Sequence, residues 1–269
     1  MRALADFGVR TASALVIAVV FLGVLLFGGK WGLAAVVAVI AVLGAHELYR
    51  LSRREILIGT EPLGLAAVAV MPFAAAAWNA EGLTAAVAVF LACALAGQVL
   101  VRNSRLQVTA IVVFGALYVG FTLSHLVLLR ELENGLLLAV VMVVSVWAND
   151  VLAYTVGSLL GRHPLAPRIS PKKSWEGLVA GTVGTVGVWV ASGALLELGL
   201  AWPVLVAIGL AASGAAVVGD LAESRIKREH HVKDSGTLLP GHGGYLDRFD
   251  SFLLVTIVTY YALLLAGAR

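Results

Sequence analysis

The sequence predicts an all-α, polytopic integral membrane protein of about nine transmembrane helices, with its N-terminus in the cytoplasm. Three observations predict it. The 269 residues are 60% hydrophobic and 13% charged, with a mean hydropathy of +0.96, whereas a soluble domain is about one quarter charged. The apolar residues fall in runs of about 20, the length of a helix that crosses a bilayer core. Lys and Arg then fall almost wholly on one side of the membrane, as cytoplasmic loops require.

The runs lie at roughly 9–28, 31–49, 61–79, 83–101, 107–129, 135–157, 177–198, 202–221 and 249–267. Backbone polar groups in lipid must be satisfied within the segment, so the runs are helices. No alternating ten-residue pattern marks a β-barrel. Arg2 and Arg10, followed by apolar residues, also fit a secretory signal, but a retained first helix completes the charge pattern. The stretch HELYRLSRRE (46–55) reads as an inner-face boundary. Pro62 opens the third run, where proline is tolerated, and Pro72 lies inside it and is expected to kink it. The fourth run holds Cys93, the one cysteine, which rules out an internal disulfide and argues against a cysteine-based metal site. Gly181, Gly184 and Gly187 in the seventh run mark close helix packing. The expected organisation is a scaffold of five helices over 1–134, with dimer contacts, and a catalytic half over 135–269.

With the N-terminus inside, the inner segments hold sixteen of the 19 Lys and Arg residues, and Lys30, Arg130 and Arg269 fall outside. A wrong helix count would scramble this split. Trp31, Trp78 and Trp202 fall at outer helix ends, where an interfacial aromatic belt places them. The net charge of +3 gives no ground for nucleic-acid binding.

Polar residues gather on the cytoplasmic side. Asp150 lies toward the inner end of the sixth helix, Asp220 at that of the eighth, and Asp247 and Asp250 open the ninth. An Asp within a membrane helix costs about 2.5–3.5 kcal/mol unless it faces a cavity or a cation. Asp247 and Asp250 are spaced i, i+3 and share one side of a helix. Four carboxylates on one face point to a hard divalent cation such as Mg²⁺, with helix capping as the alternative for Asp247 alone. No Cys/His cluster suggests zinc. SPKKSWEG (170–177) and SRIKREHHVK (224–233) supply Lys172, Lys173, Arg225, Lys227, Arg228 and Lys233. Attraction to anionic lipid explains a basic loop, but not its mixture with Asp234, Asp247 and Asp250. PGHGG (240–244) sets Gly241, Gly243 and Gly244 around His242, a loop that can bring backbone N–H groups to a phosphate. Ser170-Pro171 and Ser174 to Glu176 fit the cap of the seventh helix. Together these groups suggest phosphoryl or nucleotidyl transfer at the cytosolic face, with a lipid as one substrate.

The run Ser224 to Asp250, SRIKREHHVKDSGTLLPGHGGYLDRFD, resembles the signature of the phosphatidate cytidylyltransferases, or CDP-diacylglycerol synthases. The signature reads Ser, any, aliphatic, Lys-Arg, four residues, Lys-Asp, any, small, two residues, aliphatic, Pro or Gly, any, His-Gly-Gly, aliphatic, any, Asp-Arg, apolar, Asp. Tyr245 stands at one aliphatic position. Residues 149–177 resemble the family's upstream segment, and the first five helices match only in being hydrophobic. The resemblance implies transfer of the cytidylyl group of CTP to phosphatidate, with Mg²⁺ and room for a second cation, in a homodimer; the Ala-rich chain with no organelle signal points to a bacterial inner membrane. It implies Asp220, Asp247 and Asp250 as metal ligands, with Asp150 joining them or placing substrate. Lys227 and Lys233 enter as catalytic cations. Lys172, Lys173, Ser224, Arg228, Asp234, His242, Gly243, Gly244 and Arg248 enter as contacts to the triphosphate and the lipid phosphate. His46, His125 and His163 read as structural.

Two rivals remain. A transporter would spread polar residues along a path across the bilayer, whereas here the outer halves of the helices are apolar. A CTP-dependent polyprenol kinase would move the γ-phosphoryl instead. The Asp-Gly-x-x-Ala-Arg signature of CDP-alcohol phosphotransferases is absent.

Overall fold

The computed structural model describes residues 19–52, 60–102, 105–236 and 244–268. It forms two compact units: residues up to Leu128 with Val232–Arg248, and Leu129–His231 with Phe249–Arg269. Among the described residues seven helices are long and apolar enough to cross a membrane: α1 (Gly29–Leu51), α2 (Glu61–Leu100), α3 (Leu106–Arg130), α4 (Gly135–Leu160), α5 (Trp175–Leu195), α6 (Trp202–Glu229) and α7 (Leu246–Leu265). Among the described residues the chain is helical apart from one small hairpin. Residues 19–27 are also helical, and the rest of the first expected run lies outside the described residues.

Helix α2 has 40 residues and covers two expected runs. Its backbone leaves helical angles at Trp78 and Asn79, not at Pro72. Asn79 takes a positive φ of 53°, a conformation that Asn tolerates better than most residues. Proline deletes one backbone hydrogen bond, and here that loss leaves the local helix intact. Trp78 is exposed at the break, as are Trp31 and Trp202 near the starts of α1 and α6.

In the first unit α1 packs against α2 and α3. Tyr49 of α1 is fully buried and donates its hydroxyl to the carbonyl of Val112 at 2.7 Å. Its ring fits because Gly64 and Gly115 carry no side chain there. Beyond Gly115, α3 widens into a π turn over Ala116–Phe121. His46 meets Glu61 at 2.8 Å and joins α1 to α2, while His125 is buried with its Nδ1 against the carbonyl of Phe121. Both contacts lie within the helix packing of this unit.

In the second unit α5 lies between α4 and α6. Gly181 and Gly184 face α4: a Cβ at Gly181 would come within 2.7 Å of Asn149 Oδ1, and one at Gly184 would strike Leu152. Gly187 meets nothing within 4 Å, so only two of the three small residues serve the contact. Before α5 the chain forms an antiparallel hairpin, β1 (Pro164–Ala166) with β2 (Ser170–Ser174). The sequence reading did not anticipate it, because five residues carry too little alternation to register. Ser174 caps α5 as expected, accepting the amide of Gly177 at 3.1 Å. His163 ties the hairpin to Glu176 at 2.6 Å.

Candidate active site

The acidic residues of the second unit come from three helices. Asp150 of α4, Asp220 of α6 and Asp250 of α7 lie within Coulombic reach of one another. Lys173 acts on Asp150, and Lys227 acts on Asp250. Each position follows from local structure. Helical spacing places Asp220, Glu223, Ser224 and Lys227 on one face of α6. The strand period of two separates the adjacent lysines of β2: Lys172 is exposed, while Lys173 turns inward. Lys173 Nζ then reaches Asp220 Oδ2 at 2.5 Å, and Ser224 donates to Asp220 Oδ1 at 3.2 Å. Asp250 Oδ1 accepts the amide of Ser251 at 2.7 Å. Gly219 lets α6 approach α7 so closely that a Cβ there would lie 2.5 Å from the carbonyl oxygen of Asp250.

Other expected contacts are arranged differently. Lys227 pairs with fully buried Glu223 one turn earlier. Exposed Arg228 donates to the carbonyl of Ile169 at 3.4 Å. In the first unit Asp247 Oδ2 accepts two backbone amides, from Ser235 and Gly244, each at 2.9 Å. It is therefore a loop clamp in this structure. Lys233, Asp234 and Arg248 are exposed beside that clamp. His242 and Gly243 lie outside the described residues.

Sequence reasoning passed over three groups. Asn149, next to Asp150, accepts from Thr185 at 3.3 Å and Ser213 at 3.2 Å, a polar joint between α4, α5 and α6. Glu223 was legible from its i, i+4 spacing to Lys227. Glu47 was not: it lies in the stretch read as a boundary, yet it is buried and accepts from Ser235, 188 residues away.

Oxygen donors of this kind suit a hard cation. Among the described residues no three His, Cys, Asp or Glu side chains form a ready metal-binding group. Asp150, Asp220 and Asp250 act on one another electrostatically, and Asp220 is ion-paired with Lys173.

A model described as the cytidylyltransferase family matches residues 8–266. The chain belongs to the cytidylyltransferase family. It is 33% identical over 268 residues to a phosphatidate cytidylyltransferase of Bacillus subtilis, covering 97% of this chain and 98% of that one. It is 43% identical over 149 residues to one of Brucella abortus, covering 54% of each chain. With one of Mycobacterium leprae it shares 40% over 176 residues, covering 61% of this chain and 52% of that one. The resemblance read from the C-terminal signature thus extends to a cytidylyltransferase match over nearly the whole chain. It includes the first helices, which offered only hydrophobicity.

Proposed function

We propose that this chain transfers the cytidylyl group of CTP to phosphatidate, giving CDP-diacylglycerol and pyrophosphate for phospholipid synthesis. The observation that carries the reading is the shared field of Asp150, Asp220, Asp250, Lys173 and Lys227. Carboxylates that attract a cation beside lysines that attract phosphate are what nucleotidyl transfer needs, and the full-length likeness to the Bacillus subtilis relative supports it.

A phosphatidate oxygen attacks the α-phosphorus of CTP in line. The bond from that phosphorus to the β-phosphate oxygen breaks, and pyrophosphate leaves with the electron pair. Phosphate monoesters are largely ionised near pH 7, so the attack needs no strong general base, and His242 is assigned to the phosphate loop. Lys173, Lys227, Lys233 and Arg248 hold phosphate charge, with Lys172, Ser224, Arg228, Asp234, Gly243 and Gly244 around them. Asp220 and Asp250 are the proposed Mg²⁺ ligands, Asp247 is a third from its spacing, and Asp150 joins them or orients substrate. A bound divalent ion would spread charge over the transferred and leaving phosphates.

The site faces the cytosol of a bacterial inner membrane, in a homodimer. The N-terminus is inside and the chain crosses nine times, with α2 counted on both sides of its break. The basic segments on one face support that orientation.

Purified protein in mixed micelles with phosphatidate, Mg²⁺ and separately labelled CTP tests this. The α-label should enter the lipid and the γ-label should leave in pyrophosphate. Entry of γ-label into a polyprenol acceptor would make the chain a kinase, and movement of neither would overturn both. In the same assay Lys173→Ala should lower kcat/KM about a hundredfold. Lys172→Ala, on the outward side of the strand, should lower it only about fivefold, the scale of an exposed charge contact. Equal losses would contradict the separation by strand geometry.

A further inference from the structure

We propose that Glu47 is the positioning residue of the signature segment, its carboxylate on α1 pinning the two described ends of that segment. The inference deepens the functional reading above and rests on it for its kinetic arm. Glu47 is only 1% exposed, and burying a carboxylate costs several kcal/mol unless donors meet it. Donors do meet it. Glu47 Oε2 accepts the hydroxyl of Ser235 at 3.0 Å and the amide of Leu246 at 2.9 Å. The clamp of Asp247 on the amides of Ser235 and Gly244 works on the same two ends. Ser235 is thus held by both carboxylates, one through its side chain and one through its backbone.

The glycines fit this arrangement. A Cβ at Gly236 or Gly244 would collide with the Glu47 carboxylate. The small residue and the last glycine of the signature are therefore the room that the carboxylate occupies. Lys233 and Arg248, the exposed cations assigned to phosphate, flank the pinned ends. Their placement relative to α1 depends on Glu47.

The test uses the purified full chain in detergent, with Glu47→Ala and Glu47→Gln, read by amide hydrogen exchange and by kinetics. Glu47→Ala should speed exchange in peptides covering 232–236 and 244–248 about tenfold or more, the scale of losing hydrogen bonds to a charged group, with α3 unchanged. It should lower kcat about fiftyfold while KM for phosphatidate moves less than about twofold, as a loss confined to the transition state does. Glu47→Gln keeps one accepting oxygen and should recover to within about fivefold of wild type. Unchanged exchange at the two ends, an equal rise in α3, or an unchanged kcat in an active enzyme would overturn the proposal. If the wild-type chain transfers no cytidylyl group, the functional reading fails and the exchange result alone decides the role of Glu47.

Discussion

Asp220→Asn is expected to lower kcat for cytidylyl transfer about a thousandfold, equivalent to roughly 4 kcal/mol of barrier. Asp220 is the acid that acts on both Asp150 and Asp250, and it takes Lys173 and Ser224 on its two oxygens. The change to Asn removes one negative charge and leaves the shape nearly constant. Cation attraction weakens where the fields of three carboxylates overlap, and Lys173 loses its ion pair. Lost stability does not account for so large an effect. Both partners of the pair keep a quarter or more of their side chains exposed, and exposed pairs contribute about 0–1 kcal/mol. The check is kcat against Mg²⁺ concentration beside the thermal midpoint in detergent. A rate within about tenfold of wild type, below the usual cost of one lost electrostatic contact in a site, would remove Asp220 from the metal assignment. So would a collapse of the midpoint that explains the loss.

Asp247→Asn is the second large effect, and its direction separates two roles. As a clamp, Asp247 needs only an oxygen for the amides of Ser235 and Gly244. Asn supplies one after a flip of its amide, and Asn and Asp are close to equal when capping backbone amides. As a metal ligand, Asp247 needs its charge. The expected result is a kcat lowered about a thousandfold, with the protein still folded and extractable and its exchange at 232–236 and 244–248 unchanged. Asp247→Ala should lose both rate and protection. Near wild-type activity in Asp247→Asn would make the residue a clamp alone and leave Asp220 and Asp250 as the proposed ligands.

The candidate site was legible to different depths along the chain. The run from Ser224 to Asp250 was readable because its residues are close in sequence and their spacing is chemical. The Ser174 cap was readable because capping is local, three residues from acceptor to donor. Lys172 and Lys173 looked equivalent, since the five-residue strand that turns one inward exists only through its pairing with β1. The expected kink at Pro72 lies instead at Trp78 and Asn79. Proline makes a break cheaper there, but the packing around the helix decides whether one forms.

Sequence alone determined that this chain is helical, that its helices are long and apolar enough to cross a membrane, and where its aspartates and basic residues gather. Those conclusions rest on hydropathy, on the solvation of backbone groups by lipid and on charge spacing, all of which are local or additive. Tertiary structure decided the partners. Lys173 of β2 is paired with Asp220 of α6, and Glu47 is joined to Ser235 and Leu246. No local rule links residue 47 to residue 246. A buried carboxylate finds its donors only after the helices have packed, and the identity of those donors is a property of the folded chain.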